Sequence, residues 1–178
     1  MNAASHICHS LPPVGDKNSE ILILGSFPSV LSRKNSFYYG NPNNRFWSVL
    51  CGFFKESIPA TNDEKECFCL HHHIALYDVI EECDIDGSKD SSIKNPIPSN
   101  LLNLFPDSSI RAIVLNGQKA HQMFYKFGME SHFPSAKVIT VPSTSPANAQ
   151  YSMAALQKKW FEAFEKLHLT RWITIFGV

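Results

Sequence analysis

The sequence predicts a single α/β domain of three layers, α/β/α, in which helices cover both faces of a central, mostly parallel sheet of four or five strands. Three observations lead there. Short, nearly continuous apolar runs recur at residues 21–24, 74–79, 110–115 and 136–141, the pattern of strands buried on both faces. Segments with helical apolar spacing lie between them, so successive strands are joined by right-handed helical crossovers. At 178 residues, with 44% hydrophobic content and no low-complexity tract, the chain suits one domain with a sizeable core.

Taken in order, residues 1–19 contain Pro12, Pro13 and Gly15 and read as an irregular lead-in. Residues 21–24 (ILIL) are the first strand. A long loop, residues 25–47, separates that strand from a helix over about residues 44–54. Thr61 caps a second helix, residues 62–72, and Glu64 three residues on completes a capping box. Residues 74–79 form a short strand. Residues 82–98, rich in Asp, Ser and Lys, read as a polar loop. Ser99 caps a helix that runs through Phe105 and stops before Pro106. Residues 110–115 are a central strand ended by Asn116-Gly117, with a helix over 118–127 behind it. Residues 136–141 are the last strand of the sheet. A loop, residues 142–148, then leads to an amphipathic helix over 152–167, where Trp160, Phe161 and Phe164 share the core face. Residues 168–178 form a tail, and residues 171–178 have strand character without a place in the sheet.

The composition excludes several classes. No apolar run approaches the roughly 20 residues that span a bilayer, and the first ten residues lack the charged start and apolar middle of a signal peptide, so a soluble, cytoplasmic protein is expected. Five cysteines, odd in number and scattered, imply reduced thiols. A Walker-type phosphate loop is absent, which argues against a nucleotide hydrolase. Cys67, Cys69, His71, His72 and His73 lack the spacing of a zinc site and spread around a helix axis, and four cysteines suited to an iron–sulfur cluster are not present. No metal and no cofactor are expected. Asp78, Glu81 and Asp84 read as a solvated stretch rather than as paired catalytic carboxylates.

Net charge is zero, but its distribution is uneven. No acid occurs over residues 21–55, and Glu130 is the only one over residues 108–161. The acids gather in residues 56–90 instead. Acid-poor loops brought to one face meet phosphate favourably, although buried segments are also poor in charge for no functional reason. Compact domains usually join strand to helix in about two to six residues. The loop over 25–47 is far longer and carries small residues and prolines, adjacent aromatics, four asparagines and basic residues without an acid. That inventory suits a base and a phosphate. In parallel sheets ligands bind beyond the carboxyl ends of the strands, and this loop, Asn116-Gly117 and residues 142–148 all belong there.

Five stretches, GSFPS, FYYGNPNNRFW, IALYDVIEECDIDGSKDSSI, VLNGQKA and VPSTSPANA, together resemble the uracil-DNA glycosylase superfamily over about residues 20–167, most closely its hypoxanthine-DNA glycosylase branch. The mismatch-specific uracil-DNA glycosylases come second. Their first loop carries a water-positioning Asn directly before the Pro, where this chain has Phe27 before Pro28. The resemblance implies that the catalytic amide is instead Asn44, of the NRFW segment, with Asn43 as the neighbour to be distinguished from it. It also implies that Tyr39 stacks on a flipped base, that Ser26, Phe27, Pro28 and Asn116 belong to the base pocket, and that Ser143, Thr144, Ser145, Pro146, Ala147 and Asn148 enter the minor groove and grip the backbone beside the lesion. Arg33, Lys34 and Arg45 are candidate phosphate contacts.

An Asn side chain suits this chemistry. Cleaving the glycosidic bond passes through a sugar of oxocarbenium character, and a fixed water with fixed donors to the leaving base can achieve it without a strong base. The implied activity is monofunctional: a hydrolase that removes hypoxanthine (deoxyinosine) from double-stranded, and conceivably single-stranded, DNA as a monomer, leaving an abasic site. The alternatives are a uracil or mismatch glycosylase, against which Phe27 counts, and a non-catalytic nucleic-acid-binding module of the same fold, which Phe27 supports.

Overall fold

The computed structural model describes residues 5–106 and 109–167. Four parallel strands form the main sheet in the order β3-β2-β6-β7: β2 is Ile21–Gly25, β3 Ile74–Asp78, β6 Ala112–Asn116 and β7 Lys137–Val141. Every residue of β2, β3 and β6 is buried, as their unbroken apolar runs require of strands covered on both faces. The register places Gly25 beside Asp78 and Asn116 beside Val141, so the strands end together at one edge.

Apart from α1 (Val30–Lys34), which lies within the segment read as a loop, the helices fall where apolar spacing and caps put them. α1 is a short turn capped by Ser29, and α2 (Phe46–Phe54) begins after Asn44, whose side-chain carbonyl accepts from the Phe46 amide at 3.0 Å. α3 (Asn62–His71) carries the expected capping box: Thr61 accepts from the Glu64 amide at 3.2 Å while the Glu64 carboxylate accepts from the Thr61 amide at 3.1 Å. Thr61→Ala removes half of that exchange and is expected to lower stability by about 1 kcal/mol in urea unfolding, with base excision unaffected. α4 (Leu101–Leu104) is capped by Asn100, one residue later than expected, because Ser99 is buried and its amide is bound to the Val79 carbonyl at 3.0 Å. α5 is Gln118–Lys126 and α6 is Met153–Lys166, capped by Ser152. α2 packs against α6 through aromatic edges, with Phe53 and Phe164 centroids 4.7 Å apart, and Phe46, Phe124, Trp160 and Phe164 are fully buried. No helix among the described residues is long and apolar enough to cross a membrane.

Two segments differ from the sequence reading. The lead-in holds a strand, β1 (Ser5–Cys8), and the stretch read as a polar loop over 82–98 holds most of β4 (Ile80–Ile85), a short 3-10 turn at Asp90–Ser92 and β5 (Lys94–Pro98). These make a second, antiparallel sheet in the order β1-β4-β5. The reason is local. Ile80, Cys83 and Ile85 of β4 turn inward against Phe27, while Glu82 and Asp84 face out toward His6, so only half of the strand is apolar, and register shifts break its alternation. β5 contains two prolines, which an edge strand tolerates. The C-terminal segment with strand character, residues 171–178, lies outside the described residues.

Candidate active site

A cavity of about 450 Å³ opens at the carboxyl ends of β2, β3 and β6, where the loops after β2, β4 and β7 gather. Its size falls within the range of about 300–1,000 Å³ usual for small-ligand sites. The sequence-predicted base residues Ser26, Phe27, Pro28, Tyr39 and Asn116 all line it, as do Asn44, Ser143, Thr144, Ser145, Ala147 and Asn148. Pro146, Arg33, Lys34, Arg45 and Asn43 do not.

The loop after β2 is tied down at several points. Ser26 Oγ donates to Asp90 Oδ1 at 2.8 Å, the Val30 amide to Ser88 Oγ at 2.8 Å, and Arg33 Nη1 to the Pro28 carbonyl at 2.8 Å. Arg33 also lies 5.7 Å over the Phe27 ring, and burial lowers its pKa. Phe27 itself is nearly buried against Ile80, Cys83 and Ile85, so it joins the two sheets and offers the cavity a ring rather than an amide. Lys34 is exposed at the end of α1.

Asn44 reaches the cavity from the turn before α2. Its amide nitrogen on the backbone donates to the Asn41 carbonyl at 2.8 Å, and its side-chain carbonyl is pointed by the bond to the Phe46 amide, which uses one of two lone pairs. Asn43 is exposed and binds Asn41. Tyr39, at φ 54, stacks one face of its ring on Phe46 at 3.7 Å and 16° and lines the cavity. Burial, and next the Asp78 charge, raise the phenol well above its usual pKa, against a smaller opposing contact from Asn116.

The loop over 142–148 is held from three directions. Trp160 Nε1 donates to the Pro142 carbonyl at 2.9 Å. Asn116 receives the Thr144 amide on Oδ1 and donates from Nδ2 to the Thr144 hydroxyl, both at 3.0 Å, and Thr144 is fully buried. Arg45 donates to the carbonyls of Tyr151, Ser145 (3.1 Å) and Asn148 (2.8 Å), while its own amide binds the Thr144 carbonyl at 3.1 Å. The candidate phosphate arginine therefore spends its guanidinium on fixing the loop. Gly117 is required at φ +101, where an added Cβ would come within 2.9 Å of Ser143.

Four residues absent from the sequence-derived set belong to the site. Asp78 is 4% exposed and lines the cavity, contrary to its reading as part of a solvated stretch. His9 contacts it, with Nε2 3.0 Å from Asp78 Oδ2. Asp90 lines the opposite loop, where burial raises its carboxyl pKa and the Ser26 hydrogen bond opposes that shift. Tyr38 also lines the cavity, its hydroxyl bonded to the Pro12 carbonyl at 2.9 Å and its pKa raised by burial. Asp78 had a readable signal: it ends an apolar parallel strand, as Asn116 does. Lys89 lines the cavity, and its side chain is exposed and paired with Asp86 at 3.5 Å. Two donor triplets, His6 with Cys8 and Glu82, and Glu56 with His71 and His72, lie among the described residues, and neither lines the cavity.

This arrangement can enclose a flat heterocycle between aromatic rings, with neutral amides, hydroxyls and two carboxylates around it. Comparison with known proteins agrees with that chemistry. Residues 12–167 match the profile of the Uracil DNA glycosylase superfamily. A hypoxanthine DNA glycosylase of Methanosarcina acetivorans is 37% identical over 150 residues, covering 82% of this chain and 91% of that protein. One of Methanosarcina barkeri is 31% identical over 158 residues, covering 87% and 96%. A solution NMR structure described as a candidate uracil DNA glycosylase from M. acetivorans aligns with a TM-score of 0.73 and 32% identity over 90% of this chain and 97% of that one. On the family match and the two relatives together, the chain belongs to the uracil DNA glycosylase superfamily.

Proposed function

We propose that this protein is a monofunctional DNA glycosylase that removes hypoxanthine from DNA by hydrolysis and leaves an abasic site. The observation that carries the reading is the Asn44 side chain, oriented by the Phe46 amide and placed on the cavity wall with one carbonyl lone pair to spare. That lone pair accepts from the attacking water. The flipped base stacks on Tyr39, and backbone amides of the loop beginning at Ser26 meet its edge. Ser143, Ser145 and Asn148, on the loop pinned by Arg45 and Asn116, lie at the cavity mouth for the sugar-phosphate backbone.

The energetics favour weakly paired bases. Extruding a nucleotide costs a few kcal/mol, least where pairing is already poor. Stacking on an aromatic ring returns about 1–3 kcal/mol. A lyase would need an amine nucleophile aimed at the sugar; Lys34 lies outside the cavity, and Lys89 on its wall is exposed and paired with Asp86. The enzyme acts as a monomer on DNA in the cytoplasm.

The test is an excision assay on end-labelled duplexes containing deoxyinosine, deoxyuridine or deoxyxanthosine, each with and without alkali. Cleavage that needs alkali and is strongest for deoxyinosine is the expected result. Cleavage of deoxyuridine alone would move the protein to the uracil-specific branches, breakage without alkali would make it a lyase, and DNA binding with no cleavage would make it a binding module.

A further inference from the structure

The glycosylase reading leaves a buried carboxylate of the cavity without a task. Asp78 ends β3 at the cavity floor, beside Gly25. Its two oxygens are not equivalent. Oδ2 is anchored by His9 Nε2 at 3.0 Å, and the His9 side chain is 0% exposed. The imidazole is held flat on Tyr77, with ring centroids 4.3 Å apart at 26°, and edge-on to Phe27. An ionised carboxylate only accepts, so Nε2 is the donor of the bond to Asp78, and Nδ1 is buried with no hydrogen-bond partner among the described residues. Oδ1 accepts no hydrogen bond among the described residues and lies over Gly25, where any side chain would collide with it. The result is an oriented, acceptor-only oxygen left free of protein donors, in a cavity whose other carboxylate, Asp90, accepts from the Ser26 hydroxyl.

Resting on the glycosylase reading, we propose that Asp78, positioned by His9, is the specificity-determining residue of the pocket: its free oxygen accepts the ring N–H of a deaminated base. Deamination changes one ring atom of the base edge in a way such an oxygen can read. In adenine N1, and in cytosine N3, the ring nitrogen presents a lone pair. In hypoxanthine and uracil the same nitrogen carries hydrogen beside a carbonyl. A carboxylate attracts the second pattern and repels the first, whereas an amide at this position, its oxygen held by His9 Nε2, would turn its NH2 to the base and oppose the ring N–H. Guanine and thymine also carry a ring N–H, and the cost of drawing them from stable pairs adds to their exclusion. His9 does not touch the base. It keeps Asp78 an acceptor and fixes its rotamer from a segment outside the parallel sheet.

Single-turnover excision from duplexes carrying deoxyinosine, deoxyadenosine or deoxynebularine, whose purine has a lone pair at N1 and no 6-oxo group, tests the assignment. Sites built around one substrate hydrogen bond discriminate by as much as about 10,000-fold, so a loss of about 100-fold on deoxyinosine is expected for Asp78→Asn. Excision of deoxynebularine should change only a few-fold, so the ratio between the two substrates collapses. His9→Phe keeps the stacking surface but not the donor and is expected to lower the same ratio about 10-fold. His9→Gln, which retains a donor, should restore part of it. Binding to a duplex with a tetrahydrofuran abasic site and the thermal unfolding midpoint show that each variant is folded, and the His9 pair carries the test if Asp78→Asn is not. An equal loss on every substrate, or an unchanged ratio, overturns the assignment. If the unaltered protein excises no base, the glycosylase reading falls first and this inference with it.

Discussion

Asn44→Ala is expected to slow single-turnover excision of deoxyinosine by about 100- to 1,000-fold, the loss seen when one fixed group is removed from a preorganised site. Affinity for a duplex bearing an abasic analogue should stay within a few-fold, because Asn44 is assigned to the water and not to the DNA backbone. The variant carries a second cost. Its carbonyl binds the Phe46 amide at the start of α2, so the substitution also lowers stability by about 1 kcal/mol. Asn44→Asp separates the two effects. The carboxylate keeps the acceptor for Phe46, sits favourably at a helix N-terminus and can still accept from water, so stability holds and much of the lost rate returns. Asn43→Ala, outside the cavity, should behave as the unaltered protein. An Asn44→Ala protein that excises at full rate, or one that loses DNA binding and excision in parallel, would falsify the catalytic assignment.

Arg45→Ala should be the most damaging change at the edge of the site. The guanidinium serves three carbonyls of the loop after β7 and its continuation, at Ser145, Asn148 and Tyr151, and deleting it leaves all three short of a charged donor. Hydrogen bonds to charged groups are worth about 1.5–3 kcal/mol each but are not additive, and a loss of about 3 kcal/mol in urea unfolding is the expected sum. Excision falls with it, because Ser143 to Asn148 lose their fixed relation to Asn44. Arg45→Lys is informative: one ammonium on a flexible stem cannot reproduce a planar fork, so it should recover little. A lysine variant as stable as the original would instead mean that only the positive charge matters there, and would return Arg45 to the role of a phosphate contact.

The parallel sheet was legible because buried strands leave long apolar runs, and β2, β3 and β6 are those runs. The capping box of α3 was legible because its chemistry is confined to four consecutive residues. β1, β4 and β5 were not. β4 interleaves Ile80, Cys83 and Ile85 with acids, and β5 is an edge strand with two prolines, so their local composition is that of a loop and only pairing makes them strands. The same gap hid His9 and Asp90. Asn44, Tyr39 and Asn116 were reached through resemblance and fall on the cavity wall. Arg45 could not be understood from its neighbours in sequence, since all of its guanidinium partners lie at least 100 residues away.

β1 has one more consequence, for the order in which the molecule assembles. The strand is four residues long, exposed along most of its length, and paired with β4 residues 74 to 80 positions further on. Through it His9 reaches Asp78, 69 positions further on. A contact of such range closes late in folding and is among the first to open in local fluctuations. Hydrogen exchange should therefore find the β1 amides opening well before those of β2 and β6, and a fusion or trimming that disturbs the first nine residues would leave the sheet intact while unlatching the floor of the pocket.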